Sequence, residues 1–422
     1  MPSPARRAAY AVVRRVFEQG AYADRALRRA TERLDPRERA FATQLAYGTV
    51  QRAGTLDHLA ATYARRPAAD LDPPVLAALR LGLFQLAFLD GVAAHAAVDE
   101  SVELVKRDAP RAAGLVNAVL RRAAGEAREA VAALPDATPE EAAIAHSVPR
   151  WLAGMWFEQL GADEARALLA ASNRPAEHAL RANALVLTAE ELRRALPVPA
   201  RVGPEPPEAV VVDAPFDAHG SPLFAAGALL PQSRASQLVA RALDPQPGES
   251  VLDLCAAPGA KTTHLAALMG DRGRIVAVER HAGRAEQLRE TAARMHATIV
   301  EVRHGDAAAG TPGETFDRVL VDPPCSGLGT LRSRPDLRWR AGPAQIAELG
   351  AVQRAILDAA AAATRPGGRL VYSTCTLSAL ENERQVAAFT ARHRDFELEA
   401  VRTTLPHRDG TDGFYVATIR RL

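Results

Sequence analysis

The sequence predicts a multidomain protein: an all-helical amino-terminal domain, a small α+β middle segment, and a carboxyl-terminal α/β domain built on a parallel sheet. Three observations carry this expectation. Residues 1–145 read as successive amphipathic helices with few strand signals between them. Residues 146–231 bring linker helices, then short apolar runs broken by prolines. Residues 232–422 alternate β-branched runs with turns and helical stretches, the pattern of a sheet covered by helices on both faces. A chain of 422 residues is long enough to give such parts separate cores.

In the first part, Asp35-Pro36-Arg37-Glu38 supplies a capping carboxylate, a proline at the first helical position and a glutamate three beyond the cap. Helical patterns follow in "PPVLAALRLGLFQLAFL", "AAVDESVELVKR" and "AAGLVNAVLRRAA". Thr138-Pro139-Glu140-Glu141 repeats the start signal ahead of a helix carrying Trp151, Met155, Trp156 and Leu160. In the middle segment "HALRANALVL" and "EAVVVDA" read as strands, Thr188 to Glu191 caps the helix "EELRRAL", and the prolines of "LPVPARVGPEPPEA" mark loops. In the last part the strands are "SVLDLC", "GRIVAVE", "ATIVEVR", "FDRVLVD" and "GRLVYST", with "GFYVATIRR" expected as a final edge strand.

Composition narrows the function classes. Apolar residues make up 48% and charged residues 24%, ordinary for a globular chain. No apolar run approaches membrane-spanning length, and Arg14 and Arg15 split the basic start, so neither a membrane span nor a secretory signal is expected. Cys255, Cys325 and Cys375 are an odd and sparse set, which argues against a disulfide framework and for a reducing cytoplasm; no metal site is expected. Residues 1–34 hold eight arginines against three acidic residues, a charge that suits phosphates and equally the solvated face of helices. Lys106 and Lys261 are the only lysines, so Lys261 stands out as a compact ammonium in an arginine-rich chain.

Ligands of open α/β sheets bind beyond the carboxyl ends of the strands. Here five successive strands end in chemically useful residues. The first is followed by "DLCAAPGAKTTHLA", a tight turn without the G-x-G-x-x-G of dinucleotide sites, in which Gly259 after Ala256, Ala257 and Pro258 is expected to let a ligand approach the backbone. Glu279 ends the second strand at a distance suited to ribose hydroxyls, and Asp306 follows the third. Taken singly, each acidic residue reads as a cap or turn carboxylate. Together, without a phosphate loop, they fit an adenosine ligand lacking phosphate, and S-adenosylmethionine is the expected cofactor.

The fourth strand leads into "VDPPCSGLGT", which presents Asp322 and Cys325, and the fifth ends at Cys375 in "YSTCTLSALENE". Cys255 reads as a small packing residue. Ser378 and Glu381 stand in capping-box spacing, so a helix amino terminus is expected close to Cys375, favouring thiolate. Two thiols, a carboxylate and a methyl donor suit methylation of carbon 5 of a pyrimidine. A thiolate adds to carbon 6, an acid serves ring nitrogen 3, carbon 5 attacks the methyl group, and a base removes its proton. Methylation of an exocyclic amine would more naturally show an aromatic residue after Asp-Pro-Pro.

In order and spacing, "DLCAAPGAKTTH", "VDPPCSGLGT", "RPDLRW", "YSTCTLSALENE" and "DGFYVA" closely resemble the bacterial RNA 5-methylcytosine methyltransferases. The helical first part resembles the NusB-like RNA-binding domain of the 16S rRNA methyltransferase B family. The resemblance implies a NusB-like domain, an RRM-like middle segment and a Rossmann-like class I methyltransferase domain. It implies Cys375 as nucleophile, Cys325 as an aid to product release and Asp322 as the contact to ring nitrogen 3; in the DNA counterparts a Pro-Cys cysteine attacks, so spacing alone leaves the roles open. It also implies that Cys255, Ala256, Ala257, Pro258, Gly259, Ala260 and Lys261 wrap the methyl donor. Glu279 would hold its ribose, Asp306 would lie near its adenine, and Arg284 and Asp322 would complete its site.

The partner implied is 16S rRNA, at an unpaired cytosine that is cheap to unstack; nothing demands more than a monomer. The alternatives are the same chemistry on tRNA or 23S rRNA, or an RNA-binding assembly factor. Ala260 stands where the family usually has a second glycine, Glu279 where aspartate is commoner, Ser233 where many relatives have aspartate, and Arg334 where histidine is frequent. Trp339 is expected either to stack on the base or to pack in a core or lid, and the middle segment offers no aromatic pair for base stacking.

Overall fold

The computed structural model describes residues 2–422, which form two compact units. One runs up to Arg174 and includes Leu331–Gly342; the other comprises Pro175–Thr330 and Pro343–Leu422.

The first unit is helical. Pro73–Phe88 is apolar nearly all round and is buried along most of its length, so the other helices pack about it. Helix starts follow their sequence signals: Asp35 accepts from the backbone of Arg37 and Glu38, and Thr138 and Glu141 form a reciprocal capping box. Glu38 instead reaches the backbone nitrogen of Ala5, 2.7 Å away, stapling two helices together. Part of the amino-terminal arginine cluster is likewise internal. Arg6 is buried and donates to Gln85 at 2.7 Å and Glu100 at 2.8 Å, and Arg14 pairs with Glu18 and Asp108.

Leu331–Gly342 adds two anchors to this unit. Arg338 is fully buried and donates to the carbonyls of Gln51, Ser147 and Ser172 at 3.0, 3.0 and 3.1 Å and to Asn173 Oδ1 at 2.9 Å. Burial, with the charge of Arg52, pulls its pKa down to about 9. The Trp339 indole donates to the Val50 carbonyl at 2.7 Å and lies 6.4 Å from the Phe17 ring. Of the two roles expected for Trp339, core packing is the one the structure provides.

The second unit holds two sheets. Strands β1 (Ala179–Ala182), β2 (Ala200–Val202), β3 (Ala209–Val212) and β4 (Leu229–Pro231) form an antiparallel sheet in the order β2-β3-β1-β4. Both β2, inside the proline-rich stretch read as loop, and β4 are too short to show a period in sequence. The larger sheet contains β5 (Ser250–Leu254), β6 (Arg274–Glu279), β7 (Val300–His304), β8 (Phe316–Val321), β9 (Thr364–Thr374), β10 (Phe396–Thr404) and β11 (Phe414–Arg421) in the order β10-β11-β9-β8-β5-β6-β7. The expectation for β11 is corrected: it is not an edge strand but lies antiparallel between β9 and β10. The edge belongs to β10, exposed between its end residues and carrying Glu397, Glu399 and Arg402. That polarity protects an open edge from pairing and hides the strand from a search for apolar runs. No helix among the described residues is long and apolar enough to cross a membrane.

Replacing Arg338 by alanine strands several buried acceptors at once. The expected loss is about 3 kcal/mol of unfolding free energy, read by urea denaturation with tryptophan fluorescence; a loss below about 1 kcal/mol would mean that water replaces the guanidinium.

Candidate active site

Strand order explains why the candidate residues meet. The chain reverses direction of growth at β5, with β6 and β7 on one side and β8 and β9 on the other. The ends of β5 and β8 therefore bound the crevice in which open sheets hold ligands.

The turn after β5 is shaped by backbone demands. Cys255 has φ +68° and Gly259 φ +103°, both left-handed. A side chain at Gly259 would meet Leu288 Cδ1 at 2.6 Å. The glycine thus serves the turn and its packing on the helix Ala282–Arg294. The Ala256 nitrogen donates to the Val278 carbonyl at 3.0 Å, and Arg284 Nη2 donates to the Ala257 carbonyl at 2.6 Å. Arg181, fully buried on β1, donates to the Ala260 carbonyl and, at 2.9 Å, to Thr263 Oγ1. The first turn of helix Ala260–Leu268, which carries Lys261, is braced by the smaller sheet.

Beyond β6 and β7 the chemistry suits an adenosyl group. Glu279 is 3% exposed; its Oε1 accepts from the His281 nitrogen at 2.8 Å, while Oε2 lies 3.7 Å from Arg284 Nε. Asp306 caps a short turn by accepting from Ala308 at 3.0 Å and borders a cleft of about 320 Å³ shared with Val278, Gly305 and Gly310. A buried carboxylate with acceptor capacity to spare, beside a tight turn and an open cleft, fits ribose hydroxyls and a purine.

At the end of β8, both oxygens of Asp322 are engaged: Oδ2 accepts from Lys261 Nζ at 2.6 Å and Oδ1 from Ser373 Oγ at 2.8 Å. Burial works against the Lys261 ammonium, but Asp322 and Cys375 outweigh it and hold its pKa above the ordinary value. The Phe414 ring lies 5.4 Å from the same nitrogen.

The two thiols converge. Cys325 Sγ is 3.4 Å from Cys375 Sγ, and both residues are half-buried. The hydrogen bond to Cys375 is the largest cause that pushes the Cys325 thiol well up; burial and the charges of Cys375, Glu381 and Asp322 add to it. Cys255 stands apart with its thiol raised chiefly by burial, packed against the sheet core. Gly329 donates to the Cys375 carbonyl at 3.0 Å, and a side chain there would overlap Gly413, so the loop bearing Cys325 lies flat on the strand ends.

The capping box expected after Cys375 is absent. The helix starts at Glu383 behind Asn382, and the Ser378 hydroxyl has no partner. Glu381 turns inward because it has better donors there: Ser326 N at 2.8 Å, Ser326 Oγ, and Gln353 Nε2 at 3.1 Å. A cation that does bear on Cys375 is the Lys261 ammonium, whose pKa Cys375 helps to raise. Two further residues escaped the sequence reading. Ser373 sits inside an apolar strand, and Asp253 lies buried beneath the cofactor turn, accepting from Thr262 Oγ1 at 2.6 Å. Ser233 caps its helix by accepting from the Ser236 nitrogen, a role an aspartate could also fill.

Residues 240–420 match the family described as 16S rRNA methyltransferase RsmB/F, residues 3–125 the NusB family, and residues 148–219 the ferredoxin-like domain of RsmF/B-like methyltransferases. The chain is 37% identical to the "Probable ribosomal RNA small subunit methyltransferase B" of Synechocystis, over 99% of both chains. It is 39% identical to the "Ribosomal RNA small subunit methyltransferase B" of Thermus thermophilus, over 94% of this chain and 92% of that one. The crystal structure of PH0851 is similar with a TM-score of 0.83 at 28% identity, covering 100% of this chain and 99% of the other.

Asp253 generates a pH prediction. Burial, helped by the charge of Asp322, raises its pKa to about 7, above the ~3.9 of an unfolded aspartate. The folded state then holds the proton more tightly, so this contribution to stability is complete below the unfolded pKa and is lost as pH rises through the folded one. Melting temperatures of the protein without methyl donor, measured from about pH 4 to 8, should fall more steeply for the native chain than for Asp253→Asn. Parallel curves would contradict the assignment.

Proposed function

The chain belongs to the 16S rRNA methyltransferase RsmB/F family, and we propose that it methylates carbon 5 of one unpaired cytosine in 16S rRNA through a covalent bond from Cys375. It is an S-adenosylmethionine-dependent RNA methyltransferase. When bound, S-adenosylmethionine supplies the electrophilic methyl group, with the turn from Cys255 to Lys261, Glu279, Arg284 and Asp306 as its holders. The names of the relatives support an rRNA substrate, and with it we read the cytoplasm as the compartment. We read residues 1–145 as the RNA-holding domain, 146–231 as the linker and RRM-like segment and 232–422 as the catalytic domain, acting as a monomer.

The observation that carries the assignment of the thiols is their unequal surroundings. Cys375 is among the charges that raise the Lys261 pKa, whereas the Cys325 thiol is pushed well up first by its contact with Cys375. Cys375 is therefore the sulfur suited to attack carbon 6. The Lys261–Asp322 pair lies within reach of the same strand end and has a proton to share with ring nitrogen 3. Carbon 5, made enamine-like, then takes the methyl group. Loss of the carbon 5 proton and cleavage of the bond between Cys375 and carbon 6 complete the cycle, and Cys325 assists there. Its thiol is kept protonated first by the Cys375 sulfur, and that influence ends once Cys375 is bonded to carbon.

Labelled methyl transfer to unmodified 16S rRNA, 23S rRNA and tRNA, followed by bisulfite mapping, tests chemistry and substrate together. A single protected cytosine in 16S rRNA is expected; label confined to another RNA would keep the mechanism and discard the substrate. With fluorocytosine-substituted RNA, Cys375→Ala should abolish the trapped complex while Cys325→Ala keeps it or makes it accumulate. Trapping that survives in Cys375→Ala would reverse the roles.

A further inference from the structure

Glu381 is fully buried, and its carboxylate is held not by the sulfurs but by Ser326, which follows Cys325, and by Gln353. Its carboxylate accepts from Ser326 N at 2.8 Å and from Ser326 Oγ, and Ser326 follows Cys325 directly. Ser326 Oγ lies 2.6 Å from the hydroxyl of Thr376, which follows Cys375. Gln353 donates both to Glu381 and, at 3.0 Å, to the Pro324 carbonyl on the other side of Cys325. The Tyr372 hydroxyl donates to the Glu381 carbonyl at 2.6 Å, and Asn382 donates to the Thr376 carbonyl at 3.0 Å. One carboxylate thus closes a buried network that grips both loops one residue from each thiol.

A buried carboxylate is a poor way to hold two loops if stability is all that matters, because well-packed apolar groups serve at least as well. What a carboxylate adds is direction: several donors aimed at fixed points in a dry site. We propose that Glu381 is a positioning residue for the thiol pair, tying Ser326 and, through it, Thr376, so that the two sulfurs are held at the separation over which one can pass a proton to the other. This rests on the reading that Cys375 and Cys325 serve one reaction; the sulfur separation itself can be measured without it.

Closure of the pair into a disulfide by diamide is such a measurement, with no RNA or methyl donor present. The two thiols give up two protons and two electrons, an S–S bond forms between Cys325 and Cys375, and diamide is reduced to the corresponding hydrazine. In the full-length chain, Glu381→Gln should slow closure by about tenfold, followed by mass spectrometry of the linked peptides. Ser326→Ala should shift it in the same direction, which keeps the test open if Glu381→Gln fails to fold. In Glu381→Gln, turnover on RNA should fall at product release, with an adduct to ordinary cytosine accumulating and KM for RNA unchanged. Closure at the native rate in both Glu381→Gln and Ser326→Ala overturns the positioning role. Slow closure with normal RNA turnover supports the positioning of the sulfurs and overturns instead the reading that the pair performs the reaction.

Discussion

The ion pair between Lys261 and Asp322 is the contact on which the rest of the site depends. It joins the first turn of the helix after β5 to the end of β8, the two elements that flank the reversal of strand order, and Ser373 extends it to β9. With side-chain exposures of 13% and 27%, the pair pays a desolvation cost that largely offsets its attraction. Its value is chemical: it keeps an ammonium close to Cys375 and leaves a carboxylate at the strand end beside it.

Support for that pair comes from the smaller sheet. Arg181 reaches the first turn of the helix that carries Lys261, and Asn183 on the same run donates to the carbonyls of Gly227 and Met295, each at 2.9 Å. Burial lowers the Arg181 pKa to about 9, the cost of placing a guanidinium where it satisfies backbone and side-chain acceptors of the catalytic domain. Arg241, His264 and Glu208 form a second tie between the same parts. The middle segment, whose sequence offers no aromatic pair for base stacking, is accounted for in part as a brace.

The parallel strands were legible because each is a β-branched run bounded by turn residues, and their carboxyl ends named the site before any geometry was known. What stayed illegible has two physical causes. Phe396, Leu398 and Ala400 alternate with glutamates in β10 without forming a continuous apolar run, so β10 was missed and β11 was displaced to an edge it does not occupy. Side-chain direction is not written in spacing: Glu381 stands three residues after Ser378, as a capping box requires, yet it points into the core because Ser326 and Gln353 offer donors there. Trp339 follows the same rule, its indole taken by the Val50 carbonyl of the helical unit.

The choice of nucleophile shows where sequence ends and environment begins. Two cysteines at two strand ends are equivalent in spacing, and either could attack a pyrimidine. Their surroundings break the symmetry. At 3.4 Å two thiols cannot both be ionised cheaply, so whichever has the better cation takes the charge and the other keeps its proton. Lys261, one of only two lysines in the chain, has Cys375 among the charges that raise its pKa, while Glu381 and Asp322 are among the charges that raise the Cys325 thiol. The same arrangement favours an order of events. On the proposed roles, bonding of Cys375 to carbon removes the largest of the influences that raise the Cys325 thiol, while burial and the charges of Glu381 and Asp322 remain.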